Sequence, residues 1–189
     1  MIKPNNNLYL YSTDLDFFPK NIPFFIEQCR KIQLIDRPAS NLGDNHFHVG
    51  DRFLEKISFM GCSPYLKISP DNDRDMDYCS VYIPDKELYT AFITSTDNQG
   101  PRCPSCRKLI TNESELWKDW AKGNENKSIT CNHCDVSTVI KNLDWRKNAG
   151  IVNFALRISN IFPKEAIPTD LLLNQLEEIT GVGWKYFYA

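Results

Sequence analysis

Four cysteines stand in two pairs, Cys103-Pro104-Ser105-Cys106 and Cys131-Asn132-His133-Cys134. Two residues between the thiols of a pair let a tight turn set both sulfurs on one edge of a metal tetrahedron. Two such turns facing each other complete a four-coordinate shell. Four thiolates suit Zn²⁺. They also leave no coordination position for water, so the expected ion is structural and not a hydrolytic Lewis acid. Its binding free energy, on the order of 10 kcal/mol in isolated zinc fingers, would hold together a segment with few apolar residues of its own. Residues 107–130 separate the pairs. That is longer than the common spacing, but the connection has only to return the chain to the metal. Two competing readings are four unrelated buried thiols and a redox C-x-x-C, for which a flanking βαβ pattern is missing. His133 sits inside the second pair and reads as a surface residue of that turn. Arg107 and Asp135 follow the pairs where glycine often stands, which leaves the turn geometry open.

The other reactive residues are more scattered. His46 and His48, at i and i+2, share one face of a strand. They have no H-E-x-x-H partner and read as sheet-surface residues. Asp71, Asp73, Asp75 and Asp77 imitate the start of a Ca²⁺ loop, but Met76 stands where such a loop needs glycine and Tyr82 where it needs glutamate. They read as a solvated acidic surface suited to a basic partner. Cys62, in Gly61-Cys62-Ser63-Pro64, is the best nucleophile candidate, with His46 or His48 as its base. Cys29 and Cys79 read as small core residues. Gly123 to Ser128 lacks the second glycine of a phosphate loop. Arg102, Arg107, Lys108, Lys118 and Lys122, interleaved with Trp117 and Trp120, offer phosphate contacts and stacking surfaces. Glu113, Glu115 and Asp119 interrupt the run.

The elements that must hold these residues read as a series of short strands. Leu8–Tyr11, His46–Val49, Lys56–Met60, Tyr65–Ile68, Tyr78–Ile83, Leu88–Ile93, Ile151–Ile161 and Trp184–Tyr188 carry β-type composition between Pro, Gly, Asn and Asp breaks. Ile22–Ile35 reads as a helix. Leu171–Ile179 reads as a second, capped by Thr169-Asp170 and stopped by Gly181. The expected class is α+β, a mainly antiparallel sheet with a few helices. A zinc-binding insert at 101–147 divides a domain made of 1–100 and 148–189.

At 189 residues, 42% hydrophobic and 24% charged, the chain can bury a core without cross-links. Met1–Asn7 is polar, so no secretory h-region is expected, and no apolar run reaches the roughly 18 residues of a membrane span. Seven cysteines, four of them in metal-type pairs, point to a reducing compartment, the cytoplasm. The net charge is −2 but uneven: residues 1–100 hold 10 Lys/Arg against 14 Asp/Glu, and residues 101–160 hold 10 against 6. A chain that is basic throughout, the mark of a whole-protein nucleic-acid binder, is excluded.

The C-x-x-C segment resembles zinc ribbons and related zinc knuckles. Phe59–Pro64, Tyr78-Cys79, Cys103–Cys106, Phe162–Pro168 and Trp184–Tyr188 together resemble a group of uncharacterised bacterial proteins of about this length, a resemblance that implies no activity. The expected function is that of a non-enzymatic, zinc-stabilised protein that binds another protein. A toxin-neutralising immunity or antitoxin role is its finer form, with the acidic 71–77 segment as the contact. The alternatives are nucleic-acid binding through the basic insert and a thiol enzyme using Cys62.

Overall fold

The sequence LYLYS alternates apolar and aromatic side chains, and β1 (Leu8–Ser12) follows that alternation with buried and half-buried positions. The computed structural model describes residues 7–60, 66–86, 91–95, 100–110, 128–161 and 165–189. β1 pairs on one side with β12 (Trp184–Tyr188) and on the other with β10 (Ala155–Ser159). The sheet continues through β5 (Ser80–Tyr82) and β3 (His46–Val49) to β2 (Ile35–Pro38). Its order is β12-β1-β10-β5-β3-β2, with every neighbouring pair antiparallel.

One face of this sheet carries Leu8, Leu10, Val81, Leu156 and Ile158, all fully buried. Two helices lie over it. α1 (Ile22–Lys31) contributes Phe25 and Cys29, one turn apart, and α3 (Asp170–Thr180) contributes Leu172 and Leu176. Each such side chain taken out of water contributes about 1.5–3 kcal/mol, which is what pins the amphipathic helices to the sheet. An aromatic cluster of Phe17, Phe18, Phe25, Phe154 and Trp184 closes one end of this core with edge and stacked contacts. A short helix α2 (Phe53–Lys56) follows β3 and takes in Lys56, the first residue of an expected strand.

The caps explain where the helices stop. In α1 the Asn21 side chain accepts from the Phe24 N–H at 2.9 Å. The helix ends well short of Ile35 because Gln33 adopts a left-handed conformation, φ 57°. Leu34 N–H then reaches back to Cys29 O at 3.0 Å and Gln33 N–H to Arg30 O at 2.7 Å, a Schellman closure built without the usual glycine. α3 begins and ends as the sequence reads: Thr169 accepts from Leu172 N–H at 3.3 Å, and Gly181 takes φ 75°.

Two expected strands are corrected. Ile151–Ile161 is broken at Asn153-Phe154 into β9 (Ala149–Val152) and β10, because Phe154 turns into the aromatic cluster. β9 leaves the main sheet and pairs with β6 (Ala91–Thr94). Leu66–Ile68 forms no strand; Lys67 O instead accepts from Cys79 N–H at 2.7 Å. The expected strand at Lys56–Met60 forms as β4 (Ile57–Phe59) and pairs with β11 (Ala166–Pro168), which the sequence did not announce; this ladder is tied to β12 by the Tyr188 hydroxyl, which donates to Ala166 O at 2.8 Å. No described helix is long and apolar enough to cross a membrane.

Candidate metal centre

β6 and β9 meet at Thr94 and Ala149, so their ladder closes the base of the segment that carries the paired cysteines. Within that segment each C-x-x-C lies at the tip of a narrow hairpin. The first is framed by the Arg102–Leu109 bridge. The second is framed by Thr130–Ser137, the last pair of β7 (Ser128–Thr130) with β8 (Ser137–Val139). The two frames are the same eight-residue design. Cys103 N–H donates to Lys108 O at 2.9 Å, and Cys131 N–H to Val136 O at 3.0 Å. Arg107 N–H donates to Cys103 O at 2.8 Å, and Asp135 N–H to Cys131 O at 3.0 Å. Arg107 and Asp135 both turn left-handed, with φ of 61° and 56°. The missing glycines therefore change the energy of the turns and not their shape.

The four sulfurs converge. All lie within 4.8 Å of one another, and the cross-pairs Cys103–Cys134 and Cys106–Cys131 are both 3.7 Å apart. A tetrahedron with metal–sulfur bonds of about 2.3 Å has sulfur–sulfur edges of about 3.8 Å. A disulfide would need about 2.05 Å. The geometry is that of a metal site, and the donors are all sulfur. In each knuckle the first cysteine is buried and the second half-buried. A small apolar cluster of Ile110, Ile140, Leu143, Trp145, Ala149 and Ile151 packs against them, separate from the main core.

The thiols differ in acidity. The Cys106 N–H, and behind it the Ser105 N–H and two neighbouring sulfurs, outweigh burial and draw Cys103 down to about 7. At Cys134 the Val136 N–H pulls the same way. Burial and the three other sulfurs override it and push that thiol up to about 12. Left to themselves Cys103 releases its proton readily and Cys134 withholds its own, because adjacent thiolates repel. A dication at the centre removes that repulsion and lets all four ionise.

The remaining expectations fall into place around this centre. His46 and His48 do share a face of β3, facing Tyr82 and Ser80. His46 Nδ1 bonds Asp44 O at 3.0 Å and its Nε2 meets Arg157 Nη2 at 3.2 Å, with burial the first cause holding its pKa down. No third metal-ligating side chain joins them among the described residues. Cys29 and Cys79 are buried thiols pushed up to about 12 by desolvation, and so inert near neutral pH. In the acidic segment, Lys67 pairs with Asp71 and, at 2.7 Å, with Asp75. Asp75 also accepts from the Asp71 and Asp77 N–H groups. Lys67 first, and those two donors after it, hold its carboxyl down to about 2. Asp75 thus organises the loop, while Asp71, Asp73 and Asp77 stand at the surface beside the exposed Met76. Cys62, Trp117, Trp120, Lys118, Lys122, Glu113, Glu115 and Asp119 lie outside the described residues, as does Gly123 to Lys127.

Sequence reasoning missed one set of residues. Arg146 and Lys147 join Arg102 beside the metal module, brought there by the turn that leads into β9. Their consecutive left-handed conformations, φ 50° and 61°, had no sequence signal because neither residue is Gly or Asn. No protein-family model matches the chain, and no curated protein or solved structure matches it. The resemblances drawn from the sequence therefore rest on its residues alone.

Proposed function

We propose that this is a non-enzymatic, zinc-stabilised binding protein. Cys103, Cys106, Cys131 and Cys134 would hold one structural Zn²⁺, and the ordered chain would act by recognising another protein. The observation that carries this reading is the closed all-sulfur geometry, with edges of 3.7 Å that match a tetrahedral metal shell. Such a shell gives the ion a structural task and leaves recognition to the surface. The acidic loop supports a protein partner. Its internal pairing to Lys67 fixes the backbone in advance, which lowers the entropy cost of docking, and Met76, 62% exposed, sits among the carboxylates. Neutralising a basic toxin in the manner of an immunity or antitoxin protein is the finer form of this proposal, with the cytoplasm as its compartment.

The test uses purified, chelator-free protein. Elemental analysis should give one zinc per chain, and a pull-down from nuclease-treated lysate should retain a stoichiometric protein. That protein should be lost when Asp73→Lys is combined with Asp77→Lys. Absence of metal, or recovery of nucleic acid and no stoichiometric protein, overturns the reading.

A second reading, nucleic-acid binding by the metal module, is favoured by one observation. Arg102, Arg146 and Lys147 line one cleft beside that module with no acidic residue among its described lining, and none of the three forms an ion pair among the described residues.

A further inference from the structure

Between the metal module and the last strands of the main fold runs a cleft of 570 Å³. Arg102, Arg146, Lys147 and Asn148 line it together with Tyr186 and Tyr188, and none of its described lining residues is acidic. Its cations are held but not neutralised. Arg102 Nη1 donates to Arg107 O at 3.0 Å, which leaves its other donors to the cleft. Lys147 donates to the Tyr186 hydroxyl and lies 4.0 Å over that ring. Arg146 is exposed.

The backbone beneath them is built to aim two of these charges. Left-handed conformations cost an L-residue roughly 1–2 kcal/mol each, and here two follow in succession. They persist because the turn is tied down on all sides. Asp144 Oδ1 accepts from Arg146 N–H at 2.8 Å, Tyr188 N–H donates to Lys147 O at 2.8 Å, and Asn148 N–H to Trp145 O at 2.9 Å. Strain held in place by surrounding structure clusters at functional positions. On its other side the same turn borders a second cleft of 700 Å³, which shares Arg146, Lys147 and Tyr186 and adds Lys141 and Lys185. Asp14, Asp16 and Asp144 border that second cleft, so the attraction for an anion is greatest on the Arg102 side.

We propose that this pair of clefts is a groove for the phosphate backbone of a single-stranded nucleic acid. The inference rests on the second reading above and gives it a place and a set of residues. One phosphate would need one cleft. Cations that continue from one cleft into the next suit a chain of phosphates, and a concave path with tyrosines in its wall admits an unpaired strand.

The experiment is fluorescence anisotropy of labelled oligo-dT and oligo-U, about 15 nucleotides long, with the zinc-loaded full chain between about 50 and 200 mM salt. Five phosphate contacts, from Arg102, Arg146, Lys147, Lys141 and Lys185, predict a slope of log K against log salt of about −3.5, at about −0.7 per contact. Arg102→Gln combined with Arg146→Asn should bring the slope to about −2 and weaken binding at least tenfold. Asparagine suits the left-handed turn, and unchanged zinc content and circular dichroism verify the fold. Lys20→Gln with Lys31→Gln, just before α1 and at its last residue and lining neither cleft, should change nothing. Absence of salt-dependent binding ends both this proposal and the second reading. Binding whose slope survives the Arg102/Arg146 variant keeps that reading and overturns the groove. Complete displacement by millimolar inorganic phosphate overturns the strand in favour of a single-phosphate pocket.

Discussion

Arginine is a costly residue at the end of a C-x-x-C turn. Arg107 and Asp135 occupy equivalent left-handed positions, φ 61° and 56°, yet aspartate tolerates that region several-fold better than a long side chain does. Glycine at either position would relieve the strain and lose some unfolded-chain restriction in exchange. Arg107→Gly is therefore expected to stabilise the metal-loaded protein by about 0.5–1 kcal/mol, and Asp135→Gly to be close to neutral. Thermal unfolding of the two variants measures this. A lower midpoint for Arg107→Gly would mean that its side chain contributes more than its backbone costs. The same residues show why the knuckles looked incomplete as sequence. The turn needs a φ and not a glycine, and the hydrogen bonds from Arg107 N–H and Asp135 N–H supply the constraint.

At the scale of elements, β9 and β12 are packed through a single missing side chain. A Cβ on Gly150 would stand 2.2 Å from Phe187 Cε1, and Phe187 is itself stacked on Tyr9 at 5.0 Å and buried. The ring has nowhere to go, so Gly150→Ala should destabilise the fold by about 1–3 kcal/mol, the usual cost of overpacking. Chemical denaturation of that variant, alone and with Phe187→Leu, checks the contact. The double variant should recover part of the loss, and additive losses would place the defect elsewhere. The helices were the more legible elements. Thr169 and Gly181 were read as caps from the sequence, and the structure uses both; Asn21 caps α1 as a finding of the structure. Gln33 was not legible because the left-handed residue that closes the helix is neither Gly nor Asn, and the Asn153-Phe154 break was not because the aromatic cluster across the core decides it.

On the scale of the whole molecule, three apolar clusters share the described residues, the third a small one of Val152, Ala155, Phe187 and Ala189. Leu8, Leu10, Leu156 and Ile158 belong to the main core, while Ile110, Ile140, Leu143 and Trp145 gather around the cysteines. The second cluster is small, so metal is expected to supply most of its stability. Chelation near neutral pH should then abolish amide protection across residues 103–110 and 128–145 and leave β1 and β10 protected. Hydrogen exchange read by mass spectrometry distinguishes this from a single cooperative collapse, in which both sets would lose protection together.

Which four cysteines come together was decided by local spacing. Two thiols separated by two residues can share a tetrahedral edge in one turn of chain, and that needs no knowledge of the fold. The α+β class and the capped final helix were likewise written in short-range patterns. Which sulfur faces which, and the union of Arg102 with Arg146 and Lys147 in one cleft, join residues far apart in the chain or turned by left-handed backbone. Only the tertiary structure settles those, because they depend on hydrogen bonds and packing across elements that no window of neighbouring residues contains.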